Sequence, residues 1–456
     1  LEYPEGVASA TASIRAFLGM FFEDGSYKEP VNYFYYPITQ LAPAFMAMGA
    51  EESRELVHSS GLFHSLDWLP YYYYLIAGED GLIAPVNVAF GDADWKSSSP
   101  VAFYLLAGLT GNGIGTWLME SFHGEAQFEK GTWLNLALSV FFDGELPDPV
   151  TGAQAGLPLV ASFEDGLATI RESWSPNAKV IALRFGDSRK YVHDRGNRNA
   201  ITLAAHGEYI LVSPHRASYR SYLSNTWDLQ TTSYNAVTIG NNSQYAPDIN
   251  HWVTDPRSER HGLVKGTPKS HLTGEHDGER IAWFTAEANE AYPEKPLTAR
   301  RLVLFAKDPG YYLIADRIVC RSPHRYQLRF FLNNIDGKAR ISEPPGRDGK
   351  AWRFERPKAH LDVSVFANRS LRSRLGLGIS HKGYSYLPGG PNEGKWGSSF
   401  QLELETKSPG EAVTFLALLY PKKVDETKKL LAQIIFEGDS PFLRVTHSSG
   451  TDHFRL

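Results

Sequence analysis

From about residue 160 onward the chain is a succession of short runs in which apolar and polar residues alternate. Among them are LATIRESW (167–174), KVIALRFG (179–186), AITLAAHGEYILVS (200–213), YNAVTIG (234–240), RRLVLFA (300–306), YYLIADRIV (311–319), YQLRFFL (326–332), LDVSVFA (361–367), FQLELET (400–406), VTFLALLY (413–420) and FLRVTH (442–447). Gly, Pro, Asp or Asn separates them. Period-two alternation sends successive side chains to opposite faces, which is how a half-buried antiparallel strand is written. So many strands over residues 158–380 predict a large antiparallel β-sandwich. The strands of 381–456 either continue it or form a small separate sheet.

Residues 1–150 follow a different rule. ASATASIRAFLGMFF (8–22) spaces its apolar residues for a helix. In TQLAPAFMAMG (39–49), Pro43 predicts a kink or boundary. SPVAFYLLAGLTG (99–111) opens on Ser99-Pro100, a helix start, and closes on glycine. GTWLNLALSVFF (131–142) reads as another short helix, and GEDGLIAPVNVAFGDADW (78–95) as a loop. The Gly- and Pro-rich stretch GELPDPVTGAQAGLP (144–158) separates the two regimes. The expected class is α+β and multidomain, with helices first and a large antiparallel sandwich after them.

Composition narrows the function. With 42% hydrophobic and 21% charged residues the chain is globular. A net charge of −5 argues against a nucleic-acid partner, so any anionic ligand requires a local basic patch. Its 23 Tyr and 10 Trp suit either sugar stacking or strand packing. The single cysteine, Cys320, excludes an internal disulfide and a cysteine-based zinc site, and reads as a buried core thiol. No apolar stretch is long enough to cross a membrane. The chain begins with Leu and shows no signal peptide, which predicts a processed or incomplete N-terminus.

Four segments, in order, resemble the heparinase II/III-like polysaccharide lyases. DGSYKEPVNYFYYPITQL (24–41) resembles the helical-domain motif of Asp-Gly, an acidic residue, and tyrosines on the next helix. SFEDGLATIRESW (162–174) resembles the opening strands of the family's β domain. YVHDRGNRNAITLAAHGEYILVSP (191–214) resembles a pattern of two His and an Asp, an Arg-Asn pair, and a strand closing on Gly-Glu. SYNAVTIGNNSQ (233–244) resembles a His-Asn-Thr-Val strand followed by Gln.

The resemblance implies a toroid of helical hairpins ahead of the sandwich, and β-elimination at C4 of a uronic acid in an anionic polysaccharide. Heparin, heparan sulfate and alginate all fit that class. It implies a periplasmic or secreted protein. It places catalysis on Tyr33, four residues after Glu29, with Tyr36 one turn on as the fallback, on His193, and on Tyr219 or Tyr222 in SYRSY. Arg195, Asn197, Arg198, Arg216, Arg220, Trp227 and Asn235 are the expected substrate contacts. Elimination needs donors or a cation to neutralise the carboxylate beside C5, a base for the C5 proton, and an acid for the leaving oxygen.

Two departures stand out. Many members hold zinc with His, Asp and His, where this chain has Arg195, Ser213 and Tyr234. The expectation is no metal, with the fixed charge of Arg195 partly replacing it. His206 and His215 have no ligand spacing that would rebuild the site. Second, the Asn-His pair that the family carries ahead of its tyrosine motif is missing, and residues 1–150 are too short for a closed toroid. That predicts a missing N-terminal segment or a second chain. His58 and His64 follow the motif and are expected at most to line the cleft. Two other readings are a glycoside hydrolase using a carboxylate pair from Asp24, Glu29, Asp92 and Asp94, and a non-catalytic carbohydrate-binding protein.

Overall fold

The computed structural model describes residues 4–78, 83–88, 90–95, 99–122, 137, 140–142, 145–187, 193–217, 223–246, 264, 266–343, 351–381, 392, 394–437 and 440–456. Tyr219, Arg220, Tyr222 and most of the 131–142 run lie outside the described residues.

The first part contains helices α1 (Pro4–Leu18), α2 (Val31–Met48), α3 (Ala50–His58), α4 (Ser65–Trp68), α5 (Pro100–Thr110) and α6 (Gly113–Ser121). α5 starts where expected: Ser99 Oγ accepts the Ala102 N–H at 3.2 Å, and Gly111, at φ 68°, ends the helix. Pro43 is not a helix boundary. α2 runs through both Pro37 and Pro43. A proline removes one intrahelical bond, but here the helix buries Phe34, Tyr35, Ile38, Ala42 and Phe45, and that packing offsets the loss. The segment read as a loop at 78–95 is also corrected. It contributes a strand of the hairpin β1 (Tyr73–Ala77) and β2 (Ile83–Asn87).

The strands that follow are β3 (Val160–Ser162), β4 (Leu167–Arg171), β5 (Val180–Arg184), β6 (Ile201–Ala205), β7 (Glu208–Leu211) and β8 (Val237–Ile239). Next come β9 (His271–Asp277), β10 (Ile281–Glu287), β11 (Thr298–Ala306), β12 (Tyr311–His324) and β13 (Tyr326–Asn333). Then β14 (Arg340–Ser342), β15 (Ala351–Glu355), β16 (Ala359–Ala367), β17 (Leu371–Gly378), β18 (Ser399–Thr406) and β19 (Gly410–Lys423) complete the sandwich. β20 (Leu431–Glu437), β21 (Ser440–His447) and β22 (Gly450–Arg455) form a small sheet of their own.

One large sheet has the order β17-β18-β13-β7-β6-β5-β4-β3, with β8 also pairing to β13. The other has the order β14-β15-β16-β19-β12-β11-β10-β9. All named pairings are antiparallel. Both alternatives for 381–456 are realised: β18 and β19 continue the two large sheets as far as Lys423, and β20–β22 form the separate sheet. The run 200–213 is a hairpin: His206 and Gly207, at φ 52° and 79°, turn β6 into β7.

Alternation along each strand stacks four layers. The helices pack with outward-facing Val180, Ala182, Ala204 and Tyr209 of the β3–β8 sheet. Ile181, Leu203, Phe284, Val303, Ile314, Leu328 and Phe415 fill the space between the two large sheets. Leu304, Leu313, Leu416 and Leu418 form the third cluster with Leu443 and Val445 of the small sheet.

The helical layer is joined to the sandwich by a run of buried tyrosines. Tyr71 Oη donates to Pro158 O at 2.8 Å, Tyr72 donates to the Asp165 carboxylate, and Tyr74 pairs with Thr202 at 2.6 Å. Their rings fill the seam while their hydroxyls stay bonded. Arg171 of β4, 1% exposed, donates to the carbonyls of Pro70 and Tyr73, and its guanidinium lies over Trp174.

Arg301 and Asp316 face each other across β11 and β12, inside the sandwich. The pair is bidentate, at 2.6 and 2.8 Å, and Arg301 Nη1 also donates to Asn235 O at 2.8 Å and to Asn199 O. One sheet thereby fixes the loops at the end of the other. We expect Arg301→Met to cost about 3–5 kcal/mol, because it strands a buried carboxylate. Lys307→Met, which breaks a half-exposed pair with Asp277, is expected to cost less than about 1 kcal/mol. Urea unfolding midpoints of the two variants check the contrast.

Candidate functional site

The loops and helix that meet at the seam carry the site. Pro30 precedes α2, which puts Tyr33 in its first turn and Glu29 just outside. The 91–95 loop after β2 supplies Asp92 and Asp94, the β5–β6 connection supplies His193 and Arg195, and the chain leaving β7 supplies Arg216. Gly91 lets these segments close. It sits at φ 69°, and a Cβ there would lie 2.9 Å from His193 O and 3.1 Å from Pro30 Cγ. The adjacent Asp92 N–H donates to His193 O at 2.9 Å.

Tyr33 and His193 stack with ring centroids 3.6 Å apart and planes 16° apart. The Tyr33 hydroxyl donates to Asp92 Oδ2 at 2.6 Å and accepts from Arg216 Nη1 at 3.0 Å. Glu29 Oε1 lies 3.4 Å from His193 Nδ1. Asp92 is completely buried, and Arg195 Nη2 meets its Oδ1 at 3.1 Å. Arg216 reaches both Asp92, at 3.7 Å, and Asp94, at 3.0 Å.

Arg195 and Arg216 therefore fall at the site, while three other expected substrate contacts lie inside the protein. Arg198, 0% exposed, ion-pairs with Asp194 and donates to Gly186 O at 2.6 Å. Burial pushes the Asp194 carboxyl up, but Arg198 and Arg184 outweigh it and hold it well below the usual range. Asn197 accepts from Arg198 at 3.1 Å. Asn235 donates to Ile201 O and Val212 O and accepts from Phe331 N, so its amide is used up in joining strands. These residues shape the loop rather than face a ligand. Trp227 is half-buried, donates to Ile379 O and lies edge-on to the exposed Trp396. Tyr36 is 71% exposed and turned to solvent. His64 pairs with Asp67, and His58 rests against Phe63.

The zinc-position residues do not fit a metal. Arg195 is a cation bound to Asp92, Ser213 is buried with its carbonyl accepting from Ser380, and Tyr234 donates its hydroxyl to Asp228 O at 2.9 Å. Burial holds the Tyr234 phenol well above its ordinary range, and nearby Arg195 only partly opposes this. None of the three is an imidazole, carboxylate or thiolate, the donors zinc takes. His206 is at the β6–β7 turn, away from His215, which is buried against Trp95.

Of the acidic candidates, Asp24 accepts from Ser26 and from Glu164 N, a structural turn. The sequence offers Asp92 only as half of a hydrolase pair; its place beneath Tyr33 comes from the fold. His381, 3% exposed and 3.5 Å from the buried Asp228, has no counterpart in the sequence motifs. It follows β17, beyond the segments that carried recognisable motifs.

The family model described as heparinase II/III-like, C-terminal, matches residues 160–376. No curated protein sequence matches the chain. Among solved structures, the fold is similar to a heparinase III gene product, with 15% identity and TM-score 0.64 over 99% of this chain and 61% of that one. A crystal structure of heparinase III gives 15% identity and TM-score 0.66 over 97% of this chain and 62% of the other. A mutant of the heparan sulfate lyase HepC from Pedobacter heparinus gives 15% identity and TM-score 0.65 over 99% and 61%. The chain thus spans about three fifths of the length of these structures.

His215 generates a prediction. Burial, reinforced by His381, pushes its imidazole down to about 3. The unfolded chain takes up a proton near 6.5 that the folded chain refuses, so stability falls as pH drops from about 6.5 towards 3, by at most about 5 kcal/mol. His215→Gln should flatten that part of the profile. Urea denaturation across the pH series measures it, and an unchanged slope would count against the assignment.

Proposed function

We propose, on the match of residues 160–376 to the heparinase II/III-like C-terminal family model, that the seam between helices and sandwich is the active site of a polysaccharide lyase acting on a uronate-containing polymer. One observation carries this reading. Tyr33 and His193, remote in sequence and on different domains, are stacked at 3.6 Å with Arg216 bonded to the phenol.

The chemistry follows from the contacts. Glu29 beside Nδ1 favours the His193 tautomer with its proton there, which makes Nε2 the basic nitrogen. His193 takes the C5 proton, the C5–H electron pair becomes the C4–C5 double bond, and the C4–O bond breaks. Tyr33 delivers its proton to the departing oxygen. The phenolate left behind keeps a charge-assisted bond from Arg216. Arg216 is also the cation placed to meet the uronate carboxylate, whose neutralisation lets the enolate form. Asp92 holds Tyr33 and both arginines in register. Arg195, by this reading, supplies fixed positive charge where relatives hold zinc. Of the carboxylates that could serve hydrolysis, Asp92 and Asp94 pair with arginines, Glu29 lies beside His193, and Asp24 is held in its turn.

The product of elimination carries a double bond conjugated to a carboxylate and absorbs in the near ultraviolet. Incubation with heparin, heparan sulfate and alginate is expected to raise that absorbance with one of them. Tyr33→Phe and His193→Ala should each lower the rate about 10²–10⁴-fold. Asp92→Asn should lower it less, chiefly in kcat, by loosening Tyr33. New reducing ends without absorbance would show hydrolysis and refute the proposal.

A further inference from the structure

The turn that leads into β18 is tied down bond by bond. Ser398 Oγ donates to Lys395 O at 2.8 Å and accepts from Ser380 N at 2.7 Å. Gly394 N donates to Ser380 O and Gly397 N to Gly378 O, both at 3.0 Å. Asn334 Nδ2 donates to Gly397 O at 2.7 Å. On this fixed backbone sits Trp396, 61% exposed.

An exposed tryptophan can be a lid on the core or part of a larger apolar patch. Trp396 is neither. Its ring meets Trp227 edge-on, with centroids 5.2 Å and planes 70° apart, and Trp227 meets the buried Phe331 at 5.8 Å and 87°. Trp227 is held by its own N–H, which donates to Ile379 O at 2.9 Å. Trp396 is thus braced from behind, yet it leaves three fifths of its surface in water, too much for a lid. The exposed Leu375 and Leu377 of β17 do not extend it into a patch. They stand opposite Leu402 and Phe400, which face the other large sheet, so they leave β17 on the far side.

The same turn is bonded to the segment that carries Arg216. Ser380 Oγ donates to Ser213 O at 3.1 Å, and His381 N donates to Pro214 O at 3.0 Å. Asp228, next to Trp227, accepts from Ala217 N at 2.5 Å. Arg216 lies between these ties. Phe331 belongs to the core beneath the helices, against which Tyr33 also packs, so the three rings rise on the Tyr33 side of the sheet.

We propose that Trp396 is a stacking platform for a further sugar ring of the polymer held at Tyr33, outside the ring that is cut. From the lyase reading the proposal takes only that a saccharide chain lies in the seam. A pyranose presents a flat C–H face, and an indole offers a wide apolar one against it. The bonded turn spares the cost of ordering the ring on binding. One isolated ring suits a sugar, whereas a protein partner covers a contiguous apolar surface. The stacked sugar is not the reacting one, so the contact is the same in ground and transition state; it lowers KM and leaves kcat alone.

Calorimetric titration with hexasaccharides of heparin, heparan sulfate and alginate tests this, in a Tyr33→Phe background that slows turnover. Adding Trp396→Ala should weaken binding of the preferred hexasaccharide about 3–10-fold, with Trp396→Phe in between. Thermal melts of the variants should match the parent, because the side chain is exposed. With Tyr33 intact, Trp396→Ala should raise KM for the polymer by a similar factor while kcat holds. Equal affinity in Trp396→Ala overturns the proposal. So does failure of all three hexasaccharides to bind the parent, or a fall in kcat with KM unmoved. Sedimentation showing that Trp396→Ala dissolves a dimer also overturns it, since the ring would then be an interface residue. Trp396-dependent binding without absorbing product refutes the elimination chemistry and supports the platform; absorbing product with Trp396-independent binding refutes the platform alone.

Discussion

A single buried carboxylate holds the two halves of the site together. Asp92 accepts from Tyr33 of the helical part and pairs with Arg195 and Arg216 of the sandwich, and its backbone N–H ties to His193. A fully buried carboxylate is tolerable only with such partners, since its desolvation cost is large and loss of one partner is severe. The positions of Tyr33, His193 and both arginines are thus mutually dependent. Gly91 allows the approach that makes this possible.

The sandwich contributes rigidity from below. Arg301 crosses from one sheet to the loops of the other, and Arg198 with Asp194 fixes the turn that follows His193. These buried pairs are of limited value as stabilisers, because desolvation consumes much of their attraction. Their use here is positional: guanidinium groups with several directed donors hold backbone carbonyls in place at the end of a sheet. Loops set this way support side chains on a scaffold that packing has already made stiff.

Arg195, Ser213 and Tyr234 are coherent as a set. A guanidinium brings one fixed charge and needs acceptors, and Asp92 supplies one. The Tyr234 phenol is kept protonated by burial and bonds a carbonyl. The same architecture is then organised by hydrogen bonds and ion pairs.

Much of the architecture was legible in the chain. Period-two alternation announced the strands, and the Gly- and Pro-rich stretch at 144–158 marked the change from helix to sheet. Ser99-Pro100 and Gly111 set the ends of α5 because caps are local chemistry. Tyr33 and His193 were singled out by motif order, and the fold stacks their rings on each other. Three things were not legible. Pro43 did not end its helix, because tertiary burial outweighed a local rule. Arg198, Asn197 and Asn235 were expected at the ligand, yet the sheet buries them, since polarity in a sequence does not say which side of a strand or turn faces inward. Asp92 looked like a turn residue, and only the docking of helix α2 on the β5–β6 loop made it the centre of the site. Local order and periodicity decide which elements form, because they act within a few residues. Which carboxylate meets which arginine depends on how distant elements pack, and that was settled in three dimensions.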